Sequence, residues 1–137
     1  MKTIKSKLPE VGTTIFSQMS ALANKHNAIN LSQGFPGFKI NENLPKLVIK
    51  YMNEGKNQYA PMPGILELRI TLSNYLIQKY KADIDPNSEI TITAGATQAI
   101  YNTISAVVEK GDEVILFSPA YDCYAPAIEV HGGIPVY

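Results

Sequence analysis

The segment Ile90-Thr91-Ile92-Thr93-Ala94-Gly95-Ala96-Thr97-Gln98-Ala99-Ile100 reads as a short β-branched strand, a turn of small residues and the first turn of a helix. A helix start leaves its first backbone N–H groups without intrahelical acceptors, and a turn free of bulky side chains lets an anion reach them. The chemistry this suggests is phosphate binding at Gly95, Ala96 and Thr97. The helix dipole contributes about 0.3–2 kcal/mol to such a contact, so the turn needs partners, and small residues here also suit plain helix–strand packing. The spacing is neither G-x-x-x-x-G-K-[ST] nor G-x-G-x-x-G. Tyr121, in Ser118-Pro119-Ala120-Tyr121-Asp122-Cys123-Tyr124, follows the next strand. Ligands of open α/β sheets collect beyond the carboxyl ends of strands, where Gly95 and Tyr121 both fall. An aromatic there stacks on a flat heterocycle for roughly 0.5–1.5 kcal/mol beyond its burial, or simply caps the sheet.

The remaining reactive residue types are sparse. Cys123 suits a small packing role better than that of a nucleophile, and His26 and His131 fall near helix ends. No Ser-His-Asp set, metal-ligand spacing or carboxylate pair is visible in the sequence. Two loops rich in special residues, Gln33-Gly34-Phe35-Pro36 and Asn57-Gln58-Tyr59-Ala60-Pro61-Met62-Pro63-Gly64, precede the strand–turn–helix. Taken singly, both read as ordinary turns.

The elements that position these residues follow from periodicity. Residues 1–12 read as an extended arm. Ile15, Met19, Leu22 and Ala23 share one face of a helix over 14–26. Residues 32–38 form a loop. Residues 43–54 form a helix, with Pro45 near its start and Gly55 just past its end. Residues 64–80 form an amphipathic helix with Ile65, Leu68, Leu72, Leu76 and Ile77 on one face. After the Asp85-Pro86-Asn87 turn come strand 89–93, helix 96–109, strand 113–117, a helix from about Tyr121 to His131 in which Pro126 falls early, and a strand starting at Ile134. The β-α-β-α-β order predicts a parallel sheet with crossover helices. The organisation expected is an arm and first helix (1–31), loops and helices (32–88), and the start of a sheet domain (89–137).

Bulk properties narrow the function classes. The 137 residues carry twelve basic and twelve acidic side chains, 45% hydrophobic and 18% charged. That is an ordinary globular composition, without the basic surplus that nucleic acid or an anionic membrane surface would favour. A single cysteine suits a reducing compartment, and no apolar run approaches the length of a membrane span. Neither a secretory signal nor a spanning segment is visible, so the expectation is a soluble cytoplasmic protein.

Together, Leu31-Ser32-Gln33-Gly34-Phe35-Pro36, Tyr59-Ala60-Pro61-Met62-Pro63-Gly64 with Leu68-Arg69, Thr93-Ala94-Gly95-Ala96-Thr97-Gln98-Ala99, Gly111-Asp112-Glu113-Val114 and Ser118-Pro119-Ala120-Tyr121-Asp122-Cys123-Tyr124 resemble class I pyridoxal-phosphate aminotransferases. The branch resembled is the methionine, kynurenine and glutamine–phenylpyruvate type. The segment Lys7-Leu8-Pro9-Glu10-Val11-Gly12-Thr13-Thr14-Ile15-Phe16 is similar to bacterial methionine aminotransferases. The resemblance implies a fold-type I α/β transferase, a three-layer αβα structure with a mostly parallel sheet. It implies pyridoxal 5'-phosphate as cofactor, an amino acid and a 2-oxo acid as substrates, and a homodimer. By position, Gly95, Ala96 and Thr97 match the phosphate turn, and Tyr121 the aromatic stacked on the pyridine ring. Tyr59 matches the tyrosine reaching the phosphate of the neighbouring subunit. Gly34 matches a loop at the substrate carboxylate, and Phe16 lies near the substrate side-chain pocket.

The same resemblance implies parts that fall after residue 137: an asparagine, an aspartate on the pyridine nitrogen, the lysine that holds the cofactor and an arginine for the substrate carboxylate. None of the eleven lysines here has the expected Ser-x-Ser-Lys setting, and the lone arginine, Arg69, falls mid-helix. The expectation is therefore an N-terminal piece of a longer, truncated fold that is inactive alone, with strands 89–93 and 113–117 not neighbours. Two other readings stand beside it. One is a carbon–sulfur lyase or aminocyclopropane-carboxylate synthase on the same fold. The other is a non-catalytic module binding a phosphate ligand or a partner.

Overall fold

The apolar spacing that marks the helices carries over into the structure, a computed structural model that describes residues 4–34 and 36–137. Met1 to Thr3 of the expected arm and Phe35 of the expected 32–38 loop lie outside the described residues. The helices are α1 (Ile15–Lys25), α2 (Asn43–Asn53), α3 (Leu66–Tyr80), α4 (Ala96–Val107) and α5 (Tyr124–Val130). The strands are β1 (Glu113–Ile115) and β2 (Ile134–Val136). The chain divides into two compact units, the described part of Met1–Phe35 with Gly95–Tyr137, and Pro36–Ala94.

In the first unit, Thr14 takes the cap of α1, its hydroxyl accepting the Ser17 N–H at 3.3 Å. β1 and β2 pair in parallel, Glu113 opposite Ile134 and Ile115 opposite Val136. Parallel strands need a crossover, which here contains α5. Pro126 sits in the first turn of α5, where a missing N–H costs nothing because that N–H would have no helical acceptor. α5 carries Ile128, the largest fully buried side chain among the described residues, and Ala127, also buried. The helix expected to run to 109 stops at Val107, because the turn after it makes its own bonds: the Glu109 N–H donates to the Asp112 carboxylate at 2.8 Å.

The expected strand over 89–93 is not a strand. Its β-branched residues lie outside any helix, but among the described residues the sheet contains only β1 and β2. A strand is defined by its partner, and the Ile92 N–H instead donates to the Pro63 carbonyl at 3.0 Å.

In the second unit, α2 has no buried residue, and its start is held by the Asn41 side chain accepting the Asn43 N–H at 2.9 Å. α3 begins two residues later than expected, after Gly64 at φ +94° and the extended Ile65. Its buried line is polar. Arg69 and Ser73, one turn apart, are 7% and 5% exposed, while Ile65, Leu68 and Ile77 of the expected apolar face are exposed. Arg69 donates to the Gly64 carbonyl at 3.2 Å and to the carbonyls of Pro86 and Asn87, and the Ser73 hydroxyl donates to the Ile84 carbonyl at 2.6 Å. This side of α3 therefore clasps the 84–87 turn by its backbone. Within that turn, the Ser88 hydroxyl and the Asn87 N–H groups hold the Asp85 carboxyl below the usual carboxylate range. Its stabilising effect is thus present above that range and lost as pH falls through the lowered value.

Gly64 meets two separate demands. Its φ of +94° disfavours any side chain, and an added Cβ would lie 2.7 Å from Cβ of Ile92. Gly64→Ala is expected to destabilise the protein by at least about 1–2 kcal/mol from the backbone alone, while Gly12→Ala, with open space around it, leaves the midpoint unchanged. Denaturant titration of both variants checks this.

Candidate functional site

The turn into α4 has the character its sequence suggests. Gly95, the residue before the helix, has φ +94° and ψ 165°, and as a glycine it offers no side chain to cap the helix. No atom lies within 4 Å of where a Gly95 Cβ would stand. The first-turn N–H groups of Ala96 and Thr97 thus precede any helical acceptor and face a turn without bulk.

Thr97 lines a cavity of about 640 Å³, within the range of small-molecule sites. Of the site residues named from sequence, Phe16, Gly34, Thr97 and Tyr121 all line it. Gly95 and Ala96 lie on the same helix start as Thr97. Tyr59 belongs to the other unit and is fully exposed.

Each wall has its own support. α1 presents Phe16 from its first turn. Tyr121 lies past the carboxyl end of β1, after a cis Ser118–Pro119 peptide. Its ring is half exposed, 6.1 Å from Phe16 at 36° and 6.0 Å from Tyr124 at 59°. α4 packs on α5, where the Tyr101 ring meets His131 at 5.1 Å and His131 Nδ1 lies 2.8 Å from the Ala127 carbonyl oxygen. His131 is therefore tied into the packing of its helix.

The cavity also contains residues that the sequence did not assign to a site: Thr14, Ser32, Gln33, Asp122 and Cys123. Ser32 stood inside the Leu31–Pro36 motif and Thr14 inside the Lys7–Phe16 segment, neither assigned a role. Asp122 and Cys123 stood inside the Tyr121 motif, and Gln33 inside the Gly34 loop. No lysine lines the cavity, and among the described residues no group of His, Cys, Asp or Glu could hold a metal ion. Among the described residues no helix is long and apolar enough to cross a membrane.

Residues 26–137 match the family model for aminotransferase class I and II. The chain belongs to that family. It is 53% identical over 130 residues to the methionine aminotransferase of Escherichia coli, covering 95% of this chain and 34% of that protein. It is 38% identical over 131 residues to a probable N-succinyldiaminopimelate aminotransferase of Mycobacterium tuberculosis, covering 93% of this chain and 32% of that protein. A solved methionine aminotransferase from Escherichia coli superposes with TM-score 0.92 at 51% identity, over 99% of this chain and 36% of that one. The fold-type I α/β architecture expected from sequence is thereby borne out. The chain spans about a third of the length of the curated relatives it matches.

In this chain the residues fit a phosphorylated heterocycle: a helix start behind a glycine turn for the phosphate and a half-exposed aromatic face for the ring. Gly95 occupies a backbone region nearly confined to glycine, costing on the order of 1–3 kcal/mol for other residues. With open space around it, Gly95→Ala should cost that backbone term and no steric one. Thermal unfolding is expected to show the loss, and a change below about 0.5 kcal/mol would mean that the turn relaxes freely.

Proposed function

We propose that this chain forms part of a pyridoxal-phosphate aminotransferase that moves an amino group from an amino acid to a 2-oxo acid. The observation that carries the proposal is the single cavity joining the α4 start, Tyr121, Gly34 and Phe16 in a chain of the aminotransferase family. The donor preference is for an amino acid with an apolar, sulfur-containing or aromatic side chain. Its support is the 53% identity to a methionine aminotransferase and the Phe16–Tyr121 aromatic wall. The full exposure of Tyr59 supports a homodimer in which it serves the partner's phosphate site.

Pyridoxal phosphate, when bound, supplies the electron sink that makes the α-proton of an amino acid acidic. The residues of this chain orient. Ala96 and Thr97 donate backbone N–H groups to the phosphate, with Gly95 leaving the approach open. Tyr121 offers a face to the ring. The Gly34 loop and Phe16 bound the space for the amino acid.

The test uses the protein expressed from its whole gene and loaded with cofactor. Amino transfer from methionine, phenylalanine or kynurenine to 2-oxo acids, with higher kcat/KM than from aspartate, is expected. Absence of transfer from every donor overturns the reading, and release of ammonia and a cleaved sulfur fragment in its place would mark a carbon–sulfur lyase. Tyr121→Ala is expected to weaken cofactor binding about 2- to 12-fold, the equivalent of roughly 0.5–1.5 kcal/mol of stacking. Tyr121→Phe retains the stacking face and most of the affinity. Cofactor titration followed by visible absorbance reads both.

A further inference from the structure

The Gly34 loop is tied to α1 through hydrogen bonds from its side chains. Gln33 Nε2 donates to the Phe16 carbonyl at 3.1 Å and to the Ser20 hydroxyl at 3.2 Å. Asn30 Nδ2 donates to the same hydroxyl at 3.2 Å. Asn30 Oδ1 in turn accepts the Ser32 N–H at 3.0 Å and the Ser32 hydroxyl at 2.6 Å. Ser20, Asn30 and Gln33 are all half-buried, so these bonds are partly shielded from water and worth more than exposed ones.

Two features make this more than a loop anchor. Gln33 bonds to the backbone of Phe16 itself, so the residue before Gly34 and the aromatic wall are fixed to each other. Ser20 lies one turn further along α1 and receives both amides, so losing it loosens both ends of the 30–33 segment. Gly34 and Phe16 both face the 640 Å³ cavity.

We infer that Gln33, with Ser20 and Asn30 behind it, is a positioning residue that sets the spacing between the Gly34 loop and Phe16 and thereby the fit of the amino-acid substrate. This rests on reading the cavity as the amino-acid site. The cofactor wall, formed by the α4 start and Tyr121, receives none of these bonds. Gln33 is therefore a determinant of substrate KM and not of cofactor binding.

The experiment compares Gln33→Met, Ser20→Ala and the double variant with the wild-type protein expressed from its whole gene. Gln33→Met keeps the side-chain length and removes the donor. The expected result is a rise of about 3- to 10-fold in KM for the amino donor, with kcat and cofactor affinity unchanged. The double variant should be less than additive, because the two residues share a bond. Amide hydrogen exchange at Ser32 and Gly34 should speed up in Gln33→Met while the α4 amides stay as in wild type. Unchanged KM in folded, cofactor-loaded variants, or an equal fall in kcat and cofactor affinity, overturns the inference. If the wild type transfers no amino group, the proposed function fails. The exchange data then decide the positioning claim by themselves, since unchanged exchange at Ser32 and Gly34 overturns it.

Discussion

The parallel pairing of β1 with β2 is the constraint on which the candidate site depends. Two parallel strands cannot be joined by a tight turn, so the chain must leave β1 at its carboxyl end, travel outward and return. Residues 116–133 make that journey, and Tyr121 lies on its outward part. The return is fixed by α5, whose Ile128 is fully buried and whose end is closed by the Gly133 N–H donating to the Ile128 carbonyl at 3.0 Å. α4 packs against α5, which brings Thr97 to the cavity that Tyr121 lines. A short ladder and one buried isoleucine thus bring together two residues that the chain holds far apart.

Most elements were legible because helices are local. Pro45 near the start of α2 and the glycines after α2 and before α4 sit where turn chemistry demands them, and the bounds move by only a few residues. Strand 89–93 was not legible in the same way. β-branched residues favour an extended backbone, but pairing depends on a segment elsewhere, and periodicity carries no information about that partner. Helix α3 shows the second blind spot. Counting apolar residues singled out Ile65, Leu68, Leu72, Leu76 and Ile77, yet the burial fell to Arg69 and Ser73. The reason is the 84–87 turn, whose carbonyls need donors when covered. A sequence pattern ranks side chains by hydrophobicity and does not see an orphan carbonyl that a guanidinium will satisfy.

The site divides along the same line. Thr97 and Tyr121 were legible because a turn and an aromatic beyond a strand have a local rationale, while Phe16 and Gly34 were named only through the family resemblance; all four line one cavity. Gln33, Ser20 and Asn30 were not legible, because their link joins a loop to a helix seventeen residues earlier. Asn30 and Gln33 on a loop and Ser20 on a helix look like ordinary polar residues until the fold brings both amides within 3.2 Å of the serine hydroxyl.

The energies argue for what this cavity does and does not do. A helix start offers a phosphate about 0.3–2 kcal/mol, and stacking on Tyr121 roughly 0.5–1.5 kcal/mol. Micromolar affinity requires about 8 kcal/mol. These two contributions alone fall well short of that figure, so a ligand held at such affinity needs further contacts beyond the dipole of α4 and stacking on Tyr121. A wall that aligns is judged by its rigidity. That is why an otherwise unremarkable glutamine, bonded at once to the Phe16 backbone and to Ser20, matters as much to this face as the aromatic ring it helps to place.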